Sequence, residues 1–298
     1  MDPCFQNLFV THEGQKPLRY IGSMEGNRWS DGQLVGEDDI PCADVQNGIP
    51  SFVRPRDDGW GTDAQVESLL AKHGVRRERL IAENWEASLH DWTPSSDRYA
   101  WIQRIVTQGG LMLEIACGPG GGFSPLILDL NPDARLLVND IGWWILVEWK
   151  KFSDWKHLWS HASFAQFDVT RCPLRSDSFD CVDSAGGFSN IEGTDRALTE
   201  IYRILRPDGR LFMSDADVDP SSFQQLPDAE QEAWLIRFPQ QGKGYEQILI
   251  KTGFEILQLE ETAKTLLRPQ ESALAEMGTK YGTPIYLRQY RIEARKPL

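Results

Sequence analysis

Long apolar runs are missing from this 298-residue chain: none approaches the roughly 18 residues needed to span a bilayer. The N-terminus, MDPCFQNLF, also lacks the basic and apolar regions of a secretory signal. These two absences predict a soluble, cytoplasmic protein with no membrane partner. Cysteine is scarce and irregular. Cys4, Cys42, Cys117, Cys172 and Cys181 form no CxxC pair, which argues against a disulfide framework. Positive charge is short as well, with 31 Lys and Arg against 44 Asp and Glu and a formal net charge of −13. Such a balance repels phosphate backbones and disfavours nucleic acid as a partner. Internal repeats and low-complexity tracts are also absent. What remains is a chain whose 41% hydrophobic content can bury a full core.

The most informative stretch is 111–125, LMLEIACGPGGGFSP, an apolar run that ends in Glu114 and breaks into a glycine-rich turn. Gly118, Gly120, Gly121 and Gly122 permit positive φ and leave bare backbone where a ligand approaches. Twenty residues beyond Gly120 a second run, ARLLVND, closes on Asp140, where a doubly wound sheet places an acid for ribose hydroxyls. A third run, HASFAQFDV, ends at Asp168 and Val169. A fourth, SFDCVDSAG, starts with Asp180, which reads as structural, and a fifth, GRLFMSD, follows the helix ALTEIYRILRPDG. Strands alternating with helices imply a parallel sheet with right-handed crossovers.

In that order, the motifs resemble the class I S-adenosylmethionine (SAM)-dependent methyltransferases, in particular the small-molecule group with an E-x-x-C-G-x-G signature. The resemblance covers roughly residues 100–295 and rests on Glu114 with the glycines, on Asp140, on Asp168 with Val169, and on RILRPDGRLFMSD. Two positions depart from it: Ala116 stands where many members have Gly, and Asp208 replaces the first Gly of the late pair. The resemblance implies an α/β fold: a doubly wound, seven-stranded, mostly parallel sheet with helices on both faces and a terminal antiparallel hairpin. Residues 109–298 would form this core. Residues 56–108 would be a helical lid or linker, with Val66, Leu69 and Leu70 at helical spacing. The first 55 residues, rich in Gly, Asp and Pro, read as a small β-rich appendage. Its NGIPSFV phrase looks like the end of a zinc-ribbon-like domain, but only Cys4, Cys42 and His12 remain as ligands, so no bound metal is expected. At the other end, two strands joined by a polar insertion around 268–282 complete the pattern.

The resemblance also implies SAM as cofactor and S-adenosylhomocysteine (SAH) as product. The methionine arm would meet the amides of the Gly118–Gly122 turn, with Glu114 or the carbonyls near Ala116 facing its ammonium. Asp140 would accept from the ribose diol, Ile141 would pack on the adenine, and Asp168 with the amide of Val169 would meet the adenine edge. Ser184 and Ala185 would lie beside the methionine arm. Trp143, Trp144, Phe188, Asn190 and Asp217 are candidate acceptor contacts. Trp149, Phe152, Trp155 and Trp159, in the same Trp-rich segment, read as core. His157, His161 and Asp215 are the candidates for a general base, none with a spacing argument behind it. No Asn-Pro-Pro-Tyr type motif follows the fourth run, which favours a small-molecule acceptor. An RNA methyltransferase and a SAM-binding protein without methyl transfer are the competing readings, and the oligomeric state stays open.

Overall fold

The chain begins with a short helix, α1 (Pro3–Gln6), and four antiparallel strands: β1 (Arg19–Glu25), β2 (Arg28–Val35), β3 (Pro41–Gln46) and β4 (Ile49–Ser51). The computed structural model describes residues 1–53, 71, 77–89, 93–156, 162–238, 244–269 and 272–298. Asn47 and Gly48, at φ 51° and 74°, make the tight turn between β3 and β4, the conformation that an Asn-Gly pair favours in a two-residue hairpin. Helices α2 (Arg77–Leu89) and α3 (Asp97–Gln108) follow, the second capped by the Ser96 side chain on the Tyr99 amide. Val66, Leu69 and Leu70, the start of the expected helical stretch, lie outside the described residues.

From here strands and helices alternate: β5 (Leu111–Glu114), α4 (Ser124–Leu130), β6 (Arg135–Asp140), α5 (Trp143–Lys156), β7 (Ala162–Gln166), β8 (Phe179–Ala185), α6 (Thr194–Ile204) and β9 (Leu205–Val218). After β9 come α7 (Pro220–Phe223), α8 (Asp228–Arg237), α9 (Gly244–Thr252), β10 (Glu255–Leu266), α10 (Ala273–Lys280) and β11 (Tyr286–Arg295). The insertion between the last two strands therefore contains a helix. Ser272 caps it on the Ala275 amide, Ala275 itself is buried, and the buried Leu274 joins a small cluster with Val218, Phe223, Leu226 and Ile285.

Strand order is β1-β2-β3-β4-β7-β6-β5-β8-β9-β11-β10, a mixed sheet of eleven strands among the described residues. This corrects the expected seven. The four additional strands belong to the N-terminal region, which continues the same sheet through a parallel pairing of Ser51 with Gln166. Central strands bury both faces, so their sequences are nearly continuous in apolar residues. Met112, Leu136, Cys181 and Phe212 face one layer with Ile81, Trp101, Ile105, Leu126 and Trp149. Leu113, Leu137, Val182 and Leu211 face the other, with Phe5, Phe9, Leu198 and Tyr245. No described helix is long and apolar enough to cross a membrane.

Candidate functional site

Neighbouring strands leave β5 on opposite sides, β6 and β7 on one and β8 and β9 on the other, so a crevice opens beyond its carboxyl end. The glycine-rich turn fills the floor of that crevice. Ala116, Gly118, Gly121 and Gly122 all take positive φ, at 50°, 58°, 72° and 60°. For Ala116 this is a strained choice that glycine would avoid.

Several contacts pin the turn from below. Asp140 Oδ2 accepts from the Gly118 amide at 2.8 Å, and its Oδ1 accepts from the Gly142 amide at 2.7 Å. Trp149 donates its indole N–H to the Gly118 carbonyl at 3.0 Å. Glu114 Oε2 accepts from the Phe123 amide at 2.8 Å. The glycines then divide by direction. A Cβ at Gly121 would stand 2.6 Å from the Trp149 ring, and one at Gly122 would stand 2.1 Å from Glu114 Oε1. A Cβ at Gly118, Gly120 or Gly186 meets nothing within 4 Å. Two glycines are therefore required by the interior, while the others leave an open strip of backbone at the crevice. Burial pushes the Asp140 carboxyl up, and the amides of Gly142, Gly118 and Ile141 pull it back.

Residues 113–213, which contain all of this geometry, match the family model described as a methyltransferase domain. Residues 113–213 are a SAM-dependent methyltransferase domain. Among curated proteins, the ubiquinone/menaquinone biosynthesis C-methyltransferase UbiE of Brucella abortus (strain S19) is 25% identical over 193 residues, covering 57% of this chain and 68% of that protein. Among solved structures, geranyl diphosphate C-methyltransferase from Streptomyces coelicolor A3(2), in complex with Mg2+, geranyl diphosphate and SAH, superposes at TM-score 0.50 with 11% identity. The match covers 74% of this chain and 99% of that one. The MccD protein superposes at TM-score 0.50 with 14% identity, over 68% and 98% of the two chains. At these identities the structural matches establish a shared fold.

Within the methyltransferase domain, the crevice brings together Ala116, Gly118, Gly120, Asp140, Ile141 and the β8 end. Ile141 stands 46% exposed directly after Asp140, an apolar side chain held at the rim. A Cβ at Gly187 would fall 2.7 Å from Ala116 Cβ and 2.6 Å from Ser184 Oγ, so the two loops touch. Ser184 itself is buried and donates to the Ile115 carbonyl at 3.1 Å, and Ala185 is half-buried. Asp168 caps a short turn, its Oδ1 accepting from the Thr170 amide and hydroxyl, while Val169 is buried. Glu114 lies beneath the turn with its carboxyl fully buried.

The acceptor candidates scatter more widely. Asn190 is exposed and donates to the Gly186 carbonyl at 3.0 Å, close to the crevice. Phe188 is fully buried, edge-on to Tyr245 at 6.5 Å between ring centroids, so it belongs to the core. Asp217 is buried at the end of β9; Trp144 is buried and Trp143 half-buried against α5's side of the sheet. Asp215 is buried with its carboxylate committed to the amides of Phe188, Ser189 and Ala216. That placement makes it the anchor of a loop and removes it as a base. His157 and His161 lie outside the described residues. Cys42 is exposed, and no group of three or more possible metal ligands occurs among the described residues.

Two residues of the site escaped sequence reasoning. Trp149 was read as core, although a buried indole N–H usually has a partner to find. Asp183 carried a plainer signal, an acid inside an apolar strand.

Proposed function

We propose that the chain transfers the methyl group of SAM to a small-molecule acceptor by in-line displacement, releasing SAH. The observation that carries this reading is the strip of backbone at Gly118, Gly120 and Gly186, open where a Cβ would stand, beside the paired oxygens of Asp140. The residues present fit the cofactor. Asp140 Oδ2 holds the Gly118 amide and Oδ1 the Gly142 amide, with the Ile141 amide also close, and a carboxylate's four or so acceptor sites leave room to accept from a ribose diol as well. The exposed face of Ile141 suits an adenine ring, and the second oxygen of Asp168 is assigned to the adenine amino group. The amides of the glycine turn suit a carboxylate, since successive N–H groups and a helix start favour negative charge.

Bound SAM supplies a methyl group on a positively charged sulfur, which is already a good leaving group. The chain's own contribution is then to hold the acceptor in line and keep water out. The rigid pins beneath the turn, Asp140, Trp149 and Glu114, fix the donor's side of that alignment. A general base is needed only for acceptors that are poorly ionised. The small-molecule assignment is supported by the net charge of −13 and by the names of the relatives, which act in quinone biosynthesis and on geranyl diphosphate. Helices α2 and α3 pack on the sheet through Ile81, Trp101 and Ile105 and are assigned as the wall behind the cofactor.

Calorimetric titration with SAH tests the reading. Wild type is expected to bind in the micromolar range, and Asp140→Ala to lose at least about tenfold in affinity, the equivalent of one charge-assisted hydrogen bond. A folded wild type that binds no SAH would overturn it.

A further inference from the structure

Strands β5 and β8 are parallel neighbours in register, and Glu114 stands opposite Asp183. Their side chains therefore leave the same face of the sheet. Both residues are completely buried. Glu114 Oε2 holds the Phe123 amide, the first residue beyond the glycine run. Its Oε1 and both oxygens of Asp183 are enclosed without a hydrogen bond of ordinary geometry, and the Ser124 amide, next after Phe123, also favours the charged form of Glu114. The strongest influences on Glu114 are burial and then the Asp183 carboxyl group, opposed by the Phe123 and Ser124 amides, and on Asp183 burial, opposed by Glu114. The titratable neighbours are the thiols of Cys117 and Cys181, both kept protonated by burial, with Asp140 beyond the first and Asp180 and Glu293 beyond the second. Asp180 pairs with Arg206, and Glu293 with Arg104 and Arg210, so these outer acids are neutralised and the repulsion that remains is between Glu114 and Asp183.

Two carboxylates cannot both stay ionised in such a place, because burial and mutual repulsion each favour the neutral form. The chemistry has one economical solution. Glu114 keeps a proton on Oε1 and donates it to Asp183, while Oε2 accepts from Phe123. Burial, with the Asp183 charge next, pushes Glu114 well above the carboxylate range, and burial pushes Asp183 to about 6.

We propose that Asp183 is a positioning residue: through one proton shared with Glu114 it fixes the carboxyl group that holds the glycine turn in its cofactor-binding shape. Only the ligand measurement below rests on the SAM reading. Because both acids are raised, the folded chain holds protons that the unfolded chain has released. The stability they contribute is complete below the ordinary carboxylate range. It is lost as pH rises through about 6 and on through the higher range of Glu114.

The test measures unfolding midpoints of the ligand-free protein and SAH affinity between about pH 5 and 9 for wild type, Asp183→Asn and Asp183→Leu. Wild type should lose stability with rising pH, and its Kd should weaken by up to about tenfold per pH unit once the shared proton leaves. In Asp183→Asn the amide donates to an ionised Glu114, so both profiles flatten while affinity at low pH stays near wild type. Asp183→Leu removes the acceptor and should weaken SAH binding by about tenfold or more at pH 6. Wild-type slopes in Asp183→Asn, or wild-type affinity in Asp183→Leu, would overturn the proposal. If Asp183→Leu does not fold, the Asp183→Asn stability profile decides alone. A flattened stability profile in a protein that never binds SAH would uphold the proton pair and sink the cofactor reading instead.

Discussion

A side chain at Gly120 would project into open space, whereas one at Gly121 would strike the Trp149 ring. The same substitution class should therefore give opposite outcomes at adjacent positions. Gly120→Val is expected to change stability by no more than about 0.5 kcal/mol, as at an unconstrained surface position, and to abolish SAH binding by filling the strip. Gly121→Ala combines overpacking with a positive φ of 72° and should cost about 2 kcal/mol or more. Urea unfolding beside calorimetry separates the two, and equal stability losses would contradict the division of the glycines by direction. At this scale the sequence showed that glycine was needed but not why. Ala116 and Asp208, the two departures from the family pattern, adopt φ of 50° and 64°. The backbone keeps its left-handed turn at both places and tolerates the strain, which composition alone does not reveal. Asp183 shows the reverse case: its identity was visible, but its meaning required knowing that β5 and β8 are neighbours.

Among the elements, α5 carries the clearest link from packing to function. Trp149 and Phe152 were legible as core, and Trp149, fully buried and edge-on to Phe152 at 5.8 Å, is core, whereas Trp155, expected in the core as well, is exposed because it falls on the solvent side of the helix. The same ring also supports Gly121 and donates to the Gly118 carbonyl, which depends on how α5 rotates over β6. Rotation about a helix axis is set by tertiary packing and leaves no local mark in the sequence. Trp149→Phe keeps most of the apolar surface and removes the N–H. The expected result is a loss of about 1 kcal/mol in stability and a several-fold weaker SAH affinity, read by thermal unfolding and calorimetry. Affinity unchanged beside lowered stability would make Trp149 a packing residue only. The strand succession from β5 to β9 was legible because each apolar run is closed by a turn or an acid. Helix α10 was not, since its few buried residues face Ile285 and Leu226, partners brought together only by the long terminal strands.

Across the whole molecule, the joining of the N-terminal strands to the sheet was the least legible feature. It rests on the single pairing of Ser51 with Gln166, extended by the Phe52 amide donating to the Gln166 carbonyl at 2.9 Å, and nothing local announces either. The consequence is a shared core. Met1, Phe5, Leu8, Phe9, Trp29 and Leu34 belong to one buried cluster with Leu113, Leu137, Leu198 and Leu211, and the Val10 amide donates to the Pro173 carbonyl at 2.9 Å. A chain beginning at residue 56 would expose the partners of all these side chains. Each large apolar side chain fully buried contributes about 1.5–3 kcal/mol, so losing six approaches or exceeds the roughly 5–15 kcal/mol that holds a typical domain folded. The shortened chain is therefore expected to lack a cooperative urea transition and to bind no SAH, although every residue assigned to the cofactor is still present. A shortened chain that unfolds cooperatively and binds SAH as the full chain does would mean that the methyltransferase core closes without the N-terminal strands. Their apolar residues would then serve the appendage and not the crevice.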